Sequence, residues 1–82
     1  MVSDVIAGMI KRPSNAGVQE GGCANLASLA FNNPENQKLV AAGGGIKAVL
    51  TAMKQHPTVE GVQENGVLLL PVLLPTILRT RS

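Results

Sequence analysis

The chain holds few side chains able to do covalent or acid–base chemistry, and their spacing limits what they offer. There is one Cys, Cys23, and one His, His56. A disulfide framework or a cysteine-based zinc site needs more than one Cys. Cys23 falls in an apolar stretch, where a free thiol behaves as a small hydrophobe. His56 precedes Pro57 with no Cys or Asp close by in sequence. At the end of a helix its charge would suit the negative pole of the backbone dipole. Glu20 and Glu64 are the natural pair of carboxylates, but they stand 44 residues apart, a spacing that acquires another meaning below. Gly43-Gly44-Gly45 ahead of a helix would offer backbone N–H groups to a phosphate. Neither GxGxxG nor GxxxxGK[ST] is completed, because Lys47 sits at the wrong distance and no strand precedes the glycines. These residues point away from an enzyme, a cofactor and a metal.

Composition narrows the class. Eighty-two residues make one small domain or less. With 45% hydrophobic and 15% charged residues the chain is not of disordered composition. One Phe and no Trp or Tyr leave the core to Leu, Val, Ile, Ala and Met. Nine Gly and five Pro require short, well-punctuated elements. The net charge of +2 is weak, and Lys11-Arg12 and Arg79 with Arg81 are isolated basic pairs, so no nucleic-acid footprint is expected. The start of the chain lacks a basic then apolar signal segment, and Asp4 stands where a positive charge would be wanted. The apolar run at residues 67–78 is twelve residues long and contains two prolines. A spanning helix needs about 20, so a membrane partner is not expected, a tail-anchored peptide being the membrane alternative. The default location is intracellular, cytoplasmic or nuclear, with a reduced thiol.

The chain matches itself when shifted by 44. Val5, Met9, Pro13, Gly17, Val18, Gln19, Glu20, Gly22, Leu26 and Leu29 pair with Val49, Met53, Pro57, Gly61, Val62, Gln63, Glu64, Gly66, Leu70 and Leu73 without a gap. Val2/Ile46 and Ile6/Leu50 are conservative pairs. Repetition therefore explains Glu20 and Glu64 without catalysis. The period falls in the window of about 40–47 residues used by stacked helical units.

Within one period the spacing predicts three helices. Ile46, Val49, Leu50 and Met53 share one helical face, as do Val2, Val5, Ile6 and Met9. Pro13 and Pro57 stop those helices. Residues 18–30 form the next helix, with Val18, Gly22, Leu26 and Leu29 on a stripe widened by Cys23, Ala27 and Ala30. Asn33 is then an N-cap, Pro34 a first helical residue and Glu35 a carboxylate at the positive end of a short helix. That helix turns Leu39 and Val40 inward, and the glycine triplet ends it in a corner.

These segments resemble the armadillo repeat family. Val18-Gln19-Glu20-Gly21-Gly22-Cys23-Ala24-Asn25-Leu26-Ala27-Ser28-Leu29-Ala30 is similar to its third helix. Asn33-Pro34-Glu35-Asn36 through Gly43-Gly44-Gly45-Ile46 is similar to its first helix and the corner into the second, and residues 45–55 to the second. The resemblance covers residues 1 to about 70. HEAT repeats, with two helices per unit and no such corner, are the nearest competitor. The resemblance implies an all-α, armadillo-like α-solenoid fragment of less than two full three-helix repeats. It implies a non-enzymatic protein–protein interaction scaffold whose third helices line a groove for a protein or an extended peptide. Peptide-reading members present a Trp and, four residues later, an Asn on the third helix. Here those places hold Ala24 and Ser28, and Asn25 lies about 100° round the helix from Ala24, so any groove must read its ligand by other contacts. The groove candidates are Gln19, Asn25, Ser28 and Gln63. The competing reading of Gln19 and Glu20 is that they solvate and cap a helix start.

The units then divide as residues 1–31, supplying second and third helices, residues 32–70, supplying first, second and the start of a third, and residues 71–82, an apolar tail. Pro71 and Pro75 are expected to break the last third helix. Two explanations of the tail stand: a divergent apolar segment that packs on the end of the stack, or a frame slip, since with suitable codons reading one base back gives an alanine-rich helix followed by an Asp-Pro-Glu-Asn start whose proline falls at position 78, in register with Pro34. About three units are needed for a stable stack, so the expectation is a truncated piece of a larger array, or a chain that self-associates.

Overall fold

The 44-residue repeat reappears as helix boundaries. The computed structural model describes residues 2–81, with side chains through residue 73. It contains α1 (Val2–Lys11), α2 (Ala16–Ala30), α3 (Pro34–Ala42), α4 (Gly45–Gln55) and α5 (Glu60–Arg81). The ends of α1 and α4, and the starts of α2 and α5, are each offset by 44. The sequence reading numbers α1 and α2 as second and third helices of one unit, and α3, α4 and α5 as first, second and third of the next. We call α1–α2 the leading unit and α3–α5 the following unit.

Local chemistry sets the boundaries. Asn33 has extended backbone and its Oδ1 accepts from the Asn36 N–H at 3.0 Å, with Pro34 opening α3. Asn15 does the same for α2, accepting from the Val18 N–H at 3.0 Å. Each side chain satisfies one of the orphan donors of a helix start. Between α3 and α4, Gly44 adopts φ +86°, a left-handed conformation that glycine takes without steric cost. The Gly43 N–H donates to Leu39 O at 2.9 Å and the Gly44 N–H to Ala41 O. The corner therefore turns its N–H groups back onto α3, where they finish the helix.

The core is aliphatic, as composition requires. Val2, Ile6 and Met9 of α1 meet Cys23, Leu26 and Ala30 of α2, Val40 of α3, Ala48, Val49 and Ala52 of α4, and Val62, Leu69 and Leu73 of α5. Gly22 lets α1 and α2 approach: a β-carbon there would lie 2.5 Å from Met9 Cγ. Gly66 stands in the same relation to Met53, 2.5 Å from its sulfur. The repeated glycine and the repeated methionine are one packing device used twice.

Three expectations are corrected. Leu50 is exposed, and Ala48 and Ala52 enter the core instead. Its counterpart Ile6 is buried because the corner after α3 lies over it, close to Gly43. Leu39 is also exposed, leaving Val40 as the buried residue of α3. Finally, Pro71 and Pro75 do not end the last helix, which runs from Glu60 to Arg81. Val62, Gly66, Leu69 and Leu73 make one buried stripe along it, while Pro71 faces solvent. On that outer side, the carbonyl a proline leaves unpaired can be hydrated, which lowers the usual cost of about 3 kcal/mol. The isolated basic pair Arg79 and Arg81 lies outside the described side chains. The molecule measures 34 × 21 × 21 Å.

Candidate protein-interaction surface

The two glutamines named as groove candidates turn out to be fastenings. Gln19 is only 2% exposed, and its Nε2 donates to Met9 O at 2.9 Å and Arg12 O at 2.8 Å. Gln63 is half-buried and its Nε2 donates to Met53 O at 2.8 Å and His56 O at 3.2 Å. The acceptors are again 44 apart. Each third helix thus uses one amide to hold the last carbonyls of the second helix before it, groups that have no partner within their own helix. Gln19 is therefore corrected as a groove residue: it faces inward and both its amide hydrogens are engaged. Asn36 and Gln37 serve the end of α2 similarly, donating to Leu29 O at 2.8 Å and Ala30 O at 3.0 Å.

Two further contacts join the units at their helix corners and third helices. The His56 ring donates from Nε2 to the Pro13 carbonyl at 2.8 Å, because a carbonyl can only accept. That tie between the corner after α4 and the corner after α1 differs from the dipole role expected from the sequence. The Glu20 carboxylate lies directly against Gly61, at the start of α5, where an acidic group is favoured by the helix dipole. The α2–α5 pairing is the most extensive in the molecule.

Asn25 and Ser28 are both exposed on α2. They do not face α5. Their counterparts on α5 are Leu69, which is buried, and Val72, which is half-buried. Asn25 and Ser28 therefore occupy the side of α2 that points away from the following unit. The solvent-facing strip across the two third helices carries Glu20 and Ala24 on α2 and Glu64 and Leu68 on α5. Phe31, the lone aromatic residue, is 79% exposed and lines a cavity with Ala27, Leu68 and Val72. Spacing sets Glu20 with Ala24, and Glu64 with Leu68, one helical turn apart, but the packing of α2 on α5 is what brings the two pairs into one strip.

Cys23 is buried, and desolvation pushes its thiol up from 9.0 to about 11, so it is protonated and unreactive at neutral pH. A second cavity, between α1 and α4, is lined by Ile10, Pro13, Lys47, Thr51 and Gln55, with no acid–base pair. Among the described residues no three His, Cys, Asp or Glu side chains gather to hold a metal. Among them, too, no helix is long and apolar enough to cross a membrane.

The chain is similar to the protein aardvark of Dictyostelium discoideum, 40% identical over 72 aligned positions that cover 78% of the chain and 10% of that protein. It is also similar to the beta-catenin-like protein hmp-2 of Caenorhabditis elegans, 40% identical over 55 positions covering 67% of the chain and 8% of that protein. The fold is all-α and armadillo-like. No family model matches the chain, and no solved structure does. The chain spans about a tenth of the length of the relatives it matches.

Proposed function

We propose that the chain is a non-enzymatic protein-interaction module of the armadillo family, binding an extended peptide along the strip formed by α2 and α5. The observation that carries this is the side-by-side packing of two third helices whose outward positions repeat at 44 residues. Similarity to two armadillo-repeat relatives supports it. The strip offers two carboxylates, Glu20 and Glu64, beside an apolar platform of Leu68 and Phe31. Its chemistry fits a ligand with a basic residue next to a large apolar one. Asn25 and Ser28 lie outside the strip on the far side of α2, while Gln19 and Gln63 hold the scaffold beneath.

Peptide titration followed by amide NMR tests this. A peptide alternating Arg and Leu should shift resonances of Glu20, Ala24, Glu64 and Leu68, and Glu20→Gln with Glu64→Gln should weaken binding. Shifts confined to the α1 and α4 surfaces would refute the reading.

A second reading is that the chain is a truncated or frame-slipped piece of a larger array and binds nothing alone. It is favoured by the loss of the repeat beyond Leu73 and by the small share of the relatives that is covered. Sequencing the transcript across codons 60–82 and onward decides it. An in-register Asp-Pro-Glu-Asn frame supports this reading, and a transcript coding residues 67–82 as they stand, followed by a stop, removes the slip.

A further inference from the structure

Charge differs in sign between two sides of the molecule. On α2 and the described side chains of α5 the charged residues are Glu20, Glu60 and Glu64, with no Lys or Arg. Around the cavity between α1 and α4 the sign is reversed. Lys47 lines that cavity. Lys54, seven residues further along α4, lies on the same side of the helix. Lys11 and Arg12 stand between Ile10 and Pro13, both of which line the cavity. All four basic residues are exposed. No carboxylate lines the cavity. Asp4, the acidic residue of α1, lines a different one with Val5, Gly17 and Val18.

The cavity has the size and walls of a binding site. Its volume of about 380 Å³ falls in the range of about 300–1,000 Å³ common to ligand pockets. One wall is apolar, made by Pro13 and by Ile10, which is 62% exposed. The other carries Lys47, Thr51 and Gln55, one helical turn apart along α4 and all exposed. Beneath them Gln19 fixes the floor through its bonds to Met9 O and Arg12 O. Side chains of an extended peptide point alternately to opposite sides. Two unlike walls therefore suit a peptide with an apolar residue on one side and acidic residues on the other. A lipid acyl chain would lay hydrocarbon against Lys47, Thr51 and Gln55, which favours the peptide.

We propose that this cavity docks an acidic peptide segment. One large apolar side chain sits against Ile10 and Pro13, and the neighbouring carboxylates lie beside Lys47 and Lys54. Lys11 and Arg12 add to the field that draws the segment in. The α2–α5 strip, with Glu20 and Glu64, favours the opposite sign, so the two sides select different ligands. The cavity shares no residue with the strip and can fail while the proposed function stands.

Amide NMR titration of the 82-residue chain tests this, with an acetylated and amidated peptide of alternating Glu and Leu as the probe. The expected result is saturable shifts at Ile10, Lys47, Thr51 and Gln55, with binding that weakens as salt is raised. Lys47→Gln combined with Lys54→Gln should raise the dissociation constant by about twofold to thirtyfold, as for two exposed ion pairs. Lys38→Gln, which removes the same charge from exposed α3, should leave it unchanged. Thr51→Trp fills the cavity from an exposed position and should abolish binding. Should that variant lose helicity by circular dichroism, the two exposed lysines keep the test readable. Absence of shifts, shifts at Glu20 and Glu64 instead, or equal binding of a peptide with Gln in place of Glu overturns the proposal. So do cavity shifts produced by phosphatidylserine vesicles and not by the peptide, which would make a lipid surface the ligand. Cavity shifts that follow chain concentration alone and resist the peptide would make a second copy the occupant, and also overturn it.

Discussion

Replacing Gln19 by Met should cost more than the same change at Gln63, although the residues are repeats of each other. Methionine keeps the volume and removes the amide, so the comparison reads the hydrogen bonds. Gln19 is 2% exposed and gives bonds of 2.9 and 2.8 Å to the last carbonyls of α1. The bond to Met9 O is fully buried, so that carbonyl would be left without a partner, at about 1–3 kcal/mol. The Arg12 carbonyl is part-buried and water can replace the amide there, leaving a loss of about 0.5–1 kcal/mol. The total is about 1.5–4 kcal/mol. Gln63 is half-buried and its second bond is longer, at 3.2 Å, so water replaces more of what is lost and about 1 kcal/mol is expected. Urea unfolding followed by circular dichroism, at one fixed protein concentration so that association does not differ, measures both. Equal losses, or a greater loss at Gln63, would refute the view that these amides act as buried fastenings of unequal depth.

Neighbouring glycines on α2 should respond in opposite directions. A β-carbon at Gly21 meets nothing within 4 Å, so Gly21→Ala should stabilise by about 0.5–1 kcal/mol through helix propensity. At Gly22 it strikes Met9, and Gly22→Ala should destabilise by about 1–3 kcal/mol; thermal melts of the two variants check this. Asn33→Ala removes the α3 cap and should cost about 1 kcal/mol in the same assay. The Cys23 thiol predicts an alkaline limit. Its folded value is raised from 9.0 to about 11 by burial, so the unfolded chain ionises first. Stability is then unaffected below pH 9 and falls as pH rises from 9 towards 11; Cys23→Ala should remove that part of the slope in urea titrations across this range.

The sequence carried the repeat fully enough that the helices fall where its ten identities place them. Asn33 and Pro34 were legible as a start because capping is local chemistry. Asn15 makes the same bond but is a weaker signal, since Ala16-Gly17 after it lacks the proline and carboxylate that follow Asn33. Gln19 was misplaced for a different reason. A polar residue on a predicted helix is expected outside, and its inward position depends on carbonyls of α1 that only the packed structure brings near. Periodicity puts Leu50 in the core because it gives the apolar face but not whether a neighbour covers it. The prolines of α5 failed as breakers because a local rule met a longer-range gain, the burial of Leu69 and Leu73 on the opposite side of the helix. The strip of Glu20, Ala24, Glu64 and Leu68 needed the relative rotation of α2 and α5, which no spacing supplies.

The stacking of the two units is the claim on which the rest depends, and nuclear Overhauser contacts test it most directly. In the isotopically labelled chain, cross-peaks should link the side chain of Glu20 to the α-protons of Gly61, and the ring of His56 to Pro13. Their presence would place α5 beside α2 and tie the two helix corners together. A spectrum with the helices formed but those cross-peaks missing would contradict the packing, and with it the strip.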